Sequence, residues 1–306
     1  MHPAFSVISF TTLLGAAQGF IVTLAVIALT GEKIPHLVGL LTFAIGLLMV
    51  SLAASFFHLG HPERAWRAMA MWRTSWLSRE VIILPAFIGL TTLWAAFEWM
   101  GIRSPWLILV VIAVSAALWV CTAMIYACIK FIAEWAHPIT IANYFLLGIA
   151  SGLTLTVSLF AVIGIAQAMI AKVAIWAAVA TLIAAGVRWA SIKRNAALKP
   201  KSTVQSATGI HHPRVVQKSM GMSAGAFNTR EFFHGKSEFF VRHIKKLMAA
   251  FCFGLPVLLL LLGVSSDSWL LLAIAFPAQY VGLLAERWLF FAQARHPQNI
   301  YYQTVS

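Results

Sequence analysis

Long apolar runs separated by short polar breaks dominate the chain. A bilayer core of about 30 Å needs about 20 residues of apolar helix. Eight runs meet that length, at roughly 5–30, 37–57, 81–99, 105–128, 139–168, 172–192, 246–265 and 268–291. Glu80 and Glu98 bracket the third. From Pro138 to Ala171 no charge interrupts the sequence, and Lys172 offers the only punctuation there. A lysine at a helix end snorkels to the interface, so two helices are predicted, divided at that point. The runs are continuous rather than alternating, which argues against a β-barrel. The pattern predicts an all-α integral membrane protein, a bundle of eight transmembrane helices.

Composition agrees. Of 306 residues, 61% are hydrophobic and 10% charged, against about 25% charged in soluble domains. The net charge of +13 would suit nucleic acid, but its distribution fits topology better. With eight spans, all of the 22 basic residues except Lys33, Arg103 and Lys172 fall on one face of the membrane. The positive-inside rule then predicts both termini in the cytoplasm, and the chain as a multi-pass protein of a bacterial cytoplasmic (inner) membrane. The first run lacks a basic flank and predicts a spanning helix rather than a cleaved signal. The expected organisation is a six-helix region over 1–192, a cytoplasmic connection over 193–245, two further helices over 246–292 and a tail over 293–306. The connection carries Phe227, Phe232, Phe233, Phe239 and Phe240 among basic residues, which suits either a docking surface or a loop packed on helix ends.

Several chemistries find no support. Cys121, Cys128 and Cys252 have no metal-ligand spacing, so neither zinc nor an iron–sulfur cluster is expected in this chain. All ten histidines fall in connections, helix ends or termini, which argues against haem held at membrane depth. No Walker loop or G-x-G-x-x-G appears. No Asp, Glu, Lys or Arg is expected near a helix midplane, where proton-coupled transporters keep such groups.

One connection concentrates ionisable side chains: SFFHLGHPERAWRAMAMWRTSWLSRE, residues 55–80. Pro62 suits the first turn of a helix, and residues 62–72 predict a short interfacial helix. Ser78 is the expected N-cap of the third span, which would put Glu80 in its first turn. His58 and Glu80 then share a depth at the edge of neighbouring helices. Such a pair has two readings. A His at a helix C-terminus and a Glu at an N-terminus each complement the macrodipole. Alternatively, both exchange protons with a quinone, since histidine titrates near neutrality and a withdrawn glutamate is raised toward it. Gln18, in GAAQGF, is polar deep in the first span; Gly15 and Gly19 beside it suit close helix packing, with Gln18 hydrogen-bonding a neighbour. Asn143, Tyr144 and Arg188 are candidates to line the same cavity.

HPAFSVISFTTLLGAAQG, SFFHLGHPERAWRA, SWLSRE and ERWLFFAQARHPQNIYY together resemble the membrane anchor subunit of dimethyl sulfoxide reductase, over nearly the whole chain. MGMSAGAFNTREFFHG is more similar to the anchor of the family's sulfite dehydrogenase. The resemblance implies an anchor for a molybdenum bis-pterin catalytic subunit and an iron–sulfur subunit with four [4Fe-4S] clusters. Such an anchor exchanges electrons with menaquinone or ubiquinone as part of respiratory electron transport. It implies quinone-binding roles for His58 and Glu80, and supporting roles for His61, Arg64 and Arg79. Some family members are assigned the opposite orientation; the charge count here favours termini inside. Quinone-reducing sulfite oxidation and quinol-oxidising reduction of dimethyl sulfoxide or another S/N-oxide both fit, with sulfite preferred. A small-solute permease is the rival of another class.

Overall fold

The computed structural model describes residues 2–57, 61–199, 203–216 and 234–297. Among them, eight helices are long and apolar enough to cross a membrane. The elements are α1 (Phe5–Leu29), α2 (Leu37–Phe56), a 3-10 segment (Pro62–Met71), α3 (Trp76–Trp99), α4 (Pro105–Ala127), α5 (Pro138–Val162) and α6 (Gln167–Ala196). There follow a short α7 (Val204–Thr208), α8 (Glu238–Met248), a π turn (Ala249–Gly254), α9 (Leu255–Ser265) and α10 (Trp269–Ala292). The seventh span runs through α8, the π turn and α9 without a break. Helix ends alternate between two faces. The face carrying 61–75, 128–137, 197–199 and 234–237 is the basic face.

The helices pack as two groups of four, α1–α4 and α5, α6, α9 and α10, and the closest seam between the groups is α1 against α5. Glycine makes that approach possible. A Cβ added at Gly19 would lie 2.0 Å from the Gly148 carbonyl oxygen, and one at Gly152 would lie 2.0 Å from the Gly19 carbonyl carbon. The two backbones touch where side chains would stand, the small-xxx-small packing expected of membrane helices.

Boundaries depart from expectation where local chemistry outweighs hydropathy. Gly164, at φ +72°, turns the chain between α5 and α6, so the division precedes Lys172. Lys172 instead sits inside α6 and pairs with Glu32 at 2.8 Å. Ser75, not Ser78, caps α3: its hydroxyl accepts from the Ser78 N–H, which moves Glu80 into the second turn. The predicted interfacial helix is a 3-10 segment with Pro62 in its first turn. The connection is shorter than 193–245, because α6 runs on to Ala196 and α8 begins at Glu238.

The π turn also has a local cause. Pro256 offers no N–H and crowds the carbonyl four residues back, that of Cys252. The Cys252 carbonyl instead accepts Gln279 Nε2 of α10 at 3.3 Å.

Candidate functional site

A small polar chamber lies in the seam, bordered by α1, α4, α5 and α10. Its volume is about 20 Å³, room for about one water molecule. Glycine creates the space. Gly15 and Gly148 line it, and a Cβ on Gly148 would strike Trp119 Nε1 at 2.6 Å. Thr12 needs nothing from the chamber, since its hydroxyl donates to the Ile8 carbonyl at 2.8 Å. Other groups there are unsatisfied. Both amide atoms of Gln18, Trp119 Nε1, the Tyr144 hydroxyl and Arg287 Nε are buried without a hydrogen-bond partner. A buried polar group left so costs about 1–3 kcal/mol, and here five such atoms gather around one space.

Glu80 joins the chamber through Thr122. The Thr122 hydroxyl, on the chamber wall, donates to Glu80 Oε1, and Glu80 is only 4% exposed. Aromatic rings fix the surroundings. Tyr126 stacks on Tyr144 with centroids 5.9 Å apart, and the Arg287 guanidinium carbon lies 4.0 Å from the Tyr144 ring centroid. Phe290 packs edge-on against both tyrosines, and its carbonyl accepts Trp135 Nε1 at 3.1 Å. Glu80, Thr122, Tyr144 and Arg287 all lie one to two turns inside the basic-face ends of their helices, so the helix starts and stops set a common depth.

Behind Arg287 is a buried ionic group. Arg188 Nε lies 2.8 Å from Glu286 Oε1, each side chain 1% exposed. The approach is close but not aligned as a hydrogen bond, leaving Arg188 Nε and Nη2 without one. Arg287 Nε is 3.7 Å from the other Glu286 oxygen. Stripping one partner from such a buried pair typically costs about 3–5 kcal/mol, so the three charges stand or fall together.

A family model described as the DMSO reductase anchor subunit (DmsC) matches residues 1–292. The chain belongs to that family. It is also 46% identical to a sulfite dehydrogenase subunit from Allochromatium vinosum, with the whole of both chains aligned. The expectation of an anchor-family chain is thereby met.

The residues singled out from sequence separate in space. Gln18 and Tyr144 meet at the chamber, but Gln18 hydrogen-bonds no neighbouring helix, contrary to expectation. Asn143 is buried with its Oδ1 unsatisfied, and Arg188 stands behind Arg287 rather than in the wall. His58 lies outside the described residues. His61 is exposed, its Nδ1 3.0 Å from Glu63 Oε1, and Arg64 Nε is 3.8 Å from the same oxygen. Arg79 donates to the carbonyls of Trp72 and Arg73, both at 2.9 Å, and stacks over Trp76 at 4.1 Å. Arg79 therefore ties the start of α3 to the residues just after the 3-10 segment.

Thr122, Trp119, Tyr126, Glu286 and Arg287 did not emerge from sequence reasoning. Glu286 and Arg287 had a readable signal, adjacent opposite charges within an apolar run, ERWLFFA. The expectation of no charge near a midplane missed what mattered: Arg188, Glu286 and Arg287 lie off the helix centres yet are fully buried. Thr122 carried no signal, because a threonine in a span usually bonds its own helix, as Thr91 does to the Phe87 carbonyl at 2.8 Å.

Proposed function

We propose that this chain anchors a molybdopterin/iron–sulfur oxidoreductase in the bacterial cytoplasmic membrane and exchanges electrons with the quinone pool beside Glu80, with both termini cytoplasmic. The observation that carries this reading is the buried Glu80 carboxylate, tied by Thr122 to a polar chamber one to two turns below the basic face. In a bundle this apolar, a carboxylate so withdrawn is expensive and points to a function. The chamber is too small for a quinone ring. The ring therefore docks at the rim, against Glu80 and the connection that carries His58, while the chamber holds water. Glu80 and His58 exchange protons with the ring oxygens, and the exposed Trp66 and Trp72 give the connection apolar surface toward lipid.

A ring at that rim sits close to the basic face, where an iron–sulfur subunit seated on the anchor reaches it over the shortest path. The relative's name, a sulfite dehydrogenase subunit, favours sulfite oxidation, which in this reading delivers electrons to quinone; the family description, a DMSO reductase anchor, gives quinol-driven reduction of dimethyl sulfoxide or another S/N-oxide as the second reading. A small-solute permease finds little support in a chamber that holds about one water.

The test is purification of the chain with the subunits it retains, in mild detergent. Sulfite-dependent reduction of a short-chain quinone is the expected activity. Quinol-dependent S/N-oxide reduction without sulfite activity would transfer the assignment to the second reading, and a chain that purifies alone from functional membranes would remove the anchor role.

A further inference from the structure

A second opening lies on the same side of the bundle. A cleft of about 470 Å³ forms where the ends of α6 and α10 meet the start of α8. Its lining includes Ile192 and Asn195 of α6, Ala292 at the end of α10 and Gln293 just beyond it. Along α6 a single turn separates Ile192 from Arg188, about 6 Å at 1.5 Å per residue. Ser191 and Asn195 fall on the Arg188 face of that helix by their spacing, and all three are buried. Gln293, the C-cap of α10, continues the face of Glu286 by the same spacing. The chamber reaches toward this group from the other side, since Arg287 forms part of its wall.

A polar stripe thus joins chamber to cleft: Tyr144, Arg287, Glu286, Arg188, then Ser191, Asn195 and Gln293. Asn195 Oδ1 accepts from Arg194 Nη1 at 2.9 Å, but at both ends of the stripe atoms are short of partners. The Tyr144 hydroxyl, Arg287 Nε, Glu286 Oε2, Arg188 Nη2 and Gln293 Oε1 are all buried without a hydrogen bond from the protein. Buried water is the usual partner for such groups; four of them cluster at the ionic group and the fifth, on Gln293, stands at the cleft, with Ser191 and Asn195 between. Structural ion pairing alone would not leave both ends of the Arg188–Glu286 pair with spare hydrogen-bonding capacity.

We infer that this stripe is a water-lined path carrying protons between Glu80 and the aqueous phase at the basic face. The inference rests on the quinone reading above. Reduction of a quinone to the quinol takes two electrons, supplied through the iron–sulfur partner, and one proton on each carbonyl oxygen. Each proton that leaves the Glu80 carboxyl to form a quinol O–H bond is replaced from chamber water, and that water is replenished along the stripe. Quinol oxidation runs the same transfers backward.

The charged and titratable groups along the way suit the task. Glu80 is faced by Tyr126 and Cys121 of α4 and Tyr144 of α5. Glu286 is faced by Arg188 from α6, Arg287 beside it, Cys252 of the π turn and Tyr144 from α5. A carboxylate between two guanidiniums, each a donor with no acceptor, orients water without trapping a proton. At the cleft, His234 is buried, which pushes its pKa below the usual imidazole value. Its Nδ1 accepts the Lys236 N–H at 3.0 Å.

The test uses the intact complex in membranes. Asn195→Leu and, separately, Ser191→Val replace polar groups of the narrow segment with apolar ones and leave the ionic group in place. The expected result is about a tenfold lower kcat for quinone-linked turnover, unchanged KM for quinone, a larger solvent isotope effect, and partial rescue by a small weak acid such as formic acid. Artificial dye-linked turnover of the catalytic partner stays at the wild-type level, which separates this from misassembly. If both variants keep wild-type kcat and isotope effect while Glu80→Gln is inactive, the path is overturned and the quinone site stands. If Glu80→Gln itself retains quinone-linked turnover, the quinone reading falls and the path with it.

Discussion

Replacing Glu80 with glutamine is expected to lower quinone-linked turnover by at least about 100-fold while the complex still assembles. General acid–base groups typically contribute about 10²- to 10⁴-fold, and glutamine keeps the shape while losing the exchangeable proton. Its side-chain oxygen still accepts from Thr122, so the wall of the chamber is preserved. Local packing is unaffected as well, because the aromatic group of Tyr126, Tyr144 and Phe290 is held by Trp135 and Arg287 rather than by Glu80. The measurement is the ratio of quinone-linked to dye-linked turnover in membranes containing equal amounts of complex. Equal ratios for variant and wild type would leave Glu80 as a buried carboxylate with no part in the chemistry.

A second large effect is expected at the seam. Gly19→Val should prevent stable assembly, because its new Cβ meets backbone rather than a movable side chain: the Gly148 carbonyl oxygen at 2.0 Å and Gly152 Cα at 3.0 Å. Overpacking commonly costs about 1–3 kcal/mol, occasionally more, and an obstacle made of another helix's backbone puts this case at or above the top of that range. Accumulation in membranes and the thermal midpoint in detergent should both collapse. Gly46→Ala in α2 is the control, since nothing lies within 4 Å of a Cβ there, and it should behave as wild type. A Gly19→Val chain that accumulates and melts normally would mean that α1 and α5 do not meet in this way.

Much of this fold is readable from the residues alone, for physical reasons. Spanning helices announce themselves because a bilayer demands about 20 apolar residues in a row, so every span falls within several residues of its expected place. Gly15 and Gly19 mark a close-packed face correctly. Boundaries move where hydropathy says little: the Gly164 turn, the Ser75 cap and the 3-10 geometry after Pro62 depend on backbone conformation, not on apolarity. At the site, Glu80 and Tyr144 are visible as polar residues near helix ends. Their partners are not, because Thr122 and Tyr126 on α4 meet Glu80 on α3 only through packing across sequence-distant turns. Glu286 and Arg287 are legible as charges, yet they are easily discounted for lying close to the end of a run. A buried network is made by neighbours from α4, α5 and α6, and no single stretch of sequence contains it.

Quinone chemistry beside Glu80 at the basic face is what the whole arrangement serves in the proposed function. Its most direct test is labelling the intact complex with a photoreactive quinone, followed by peptide mapping. Label is expected in the peptides around Trp76–Ile83 and Cys121–Ala127, displaced by excess unlabelled quinone. Displaceable label confined to the opposite face, at Gly31–Pro35 or the α5–α6 turn, would contradict it.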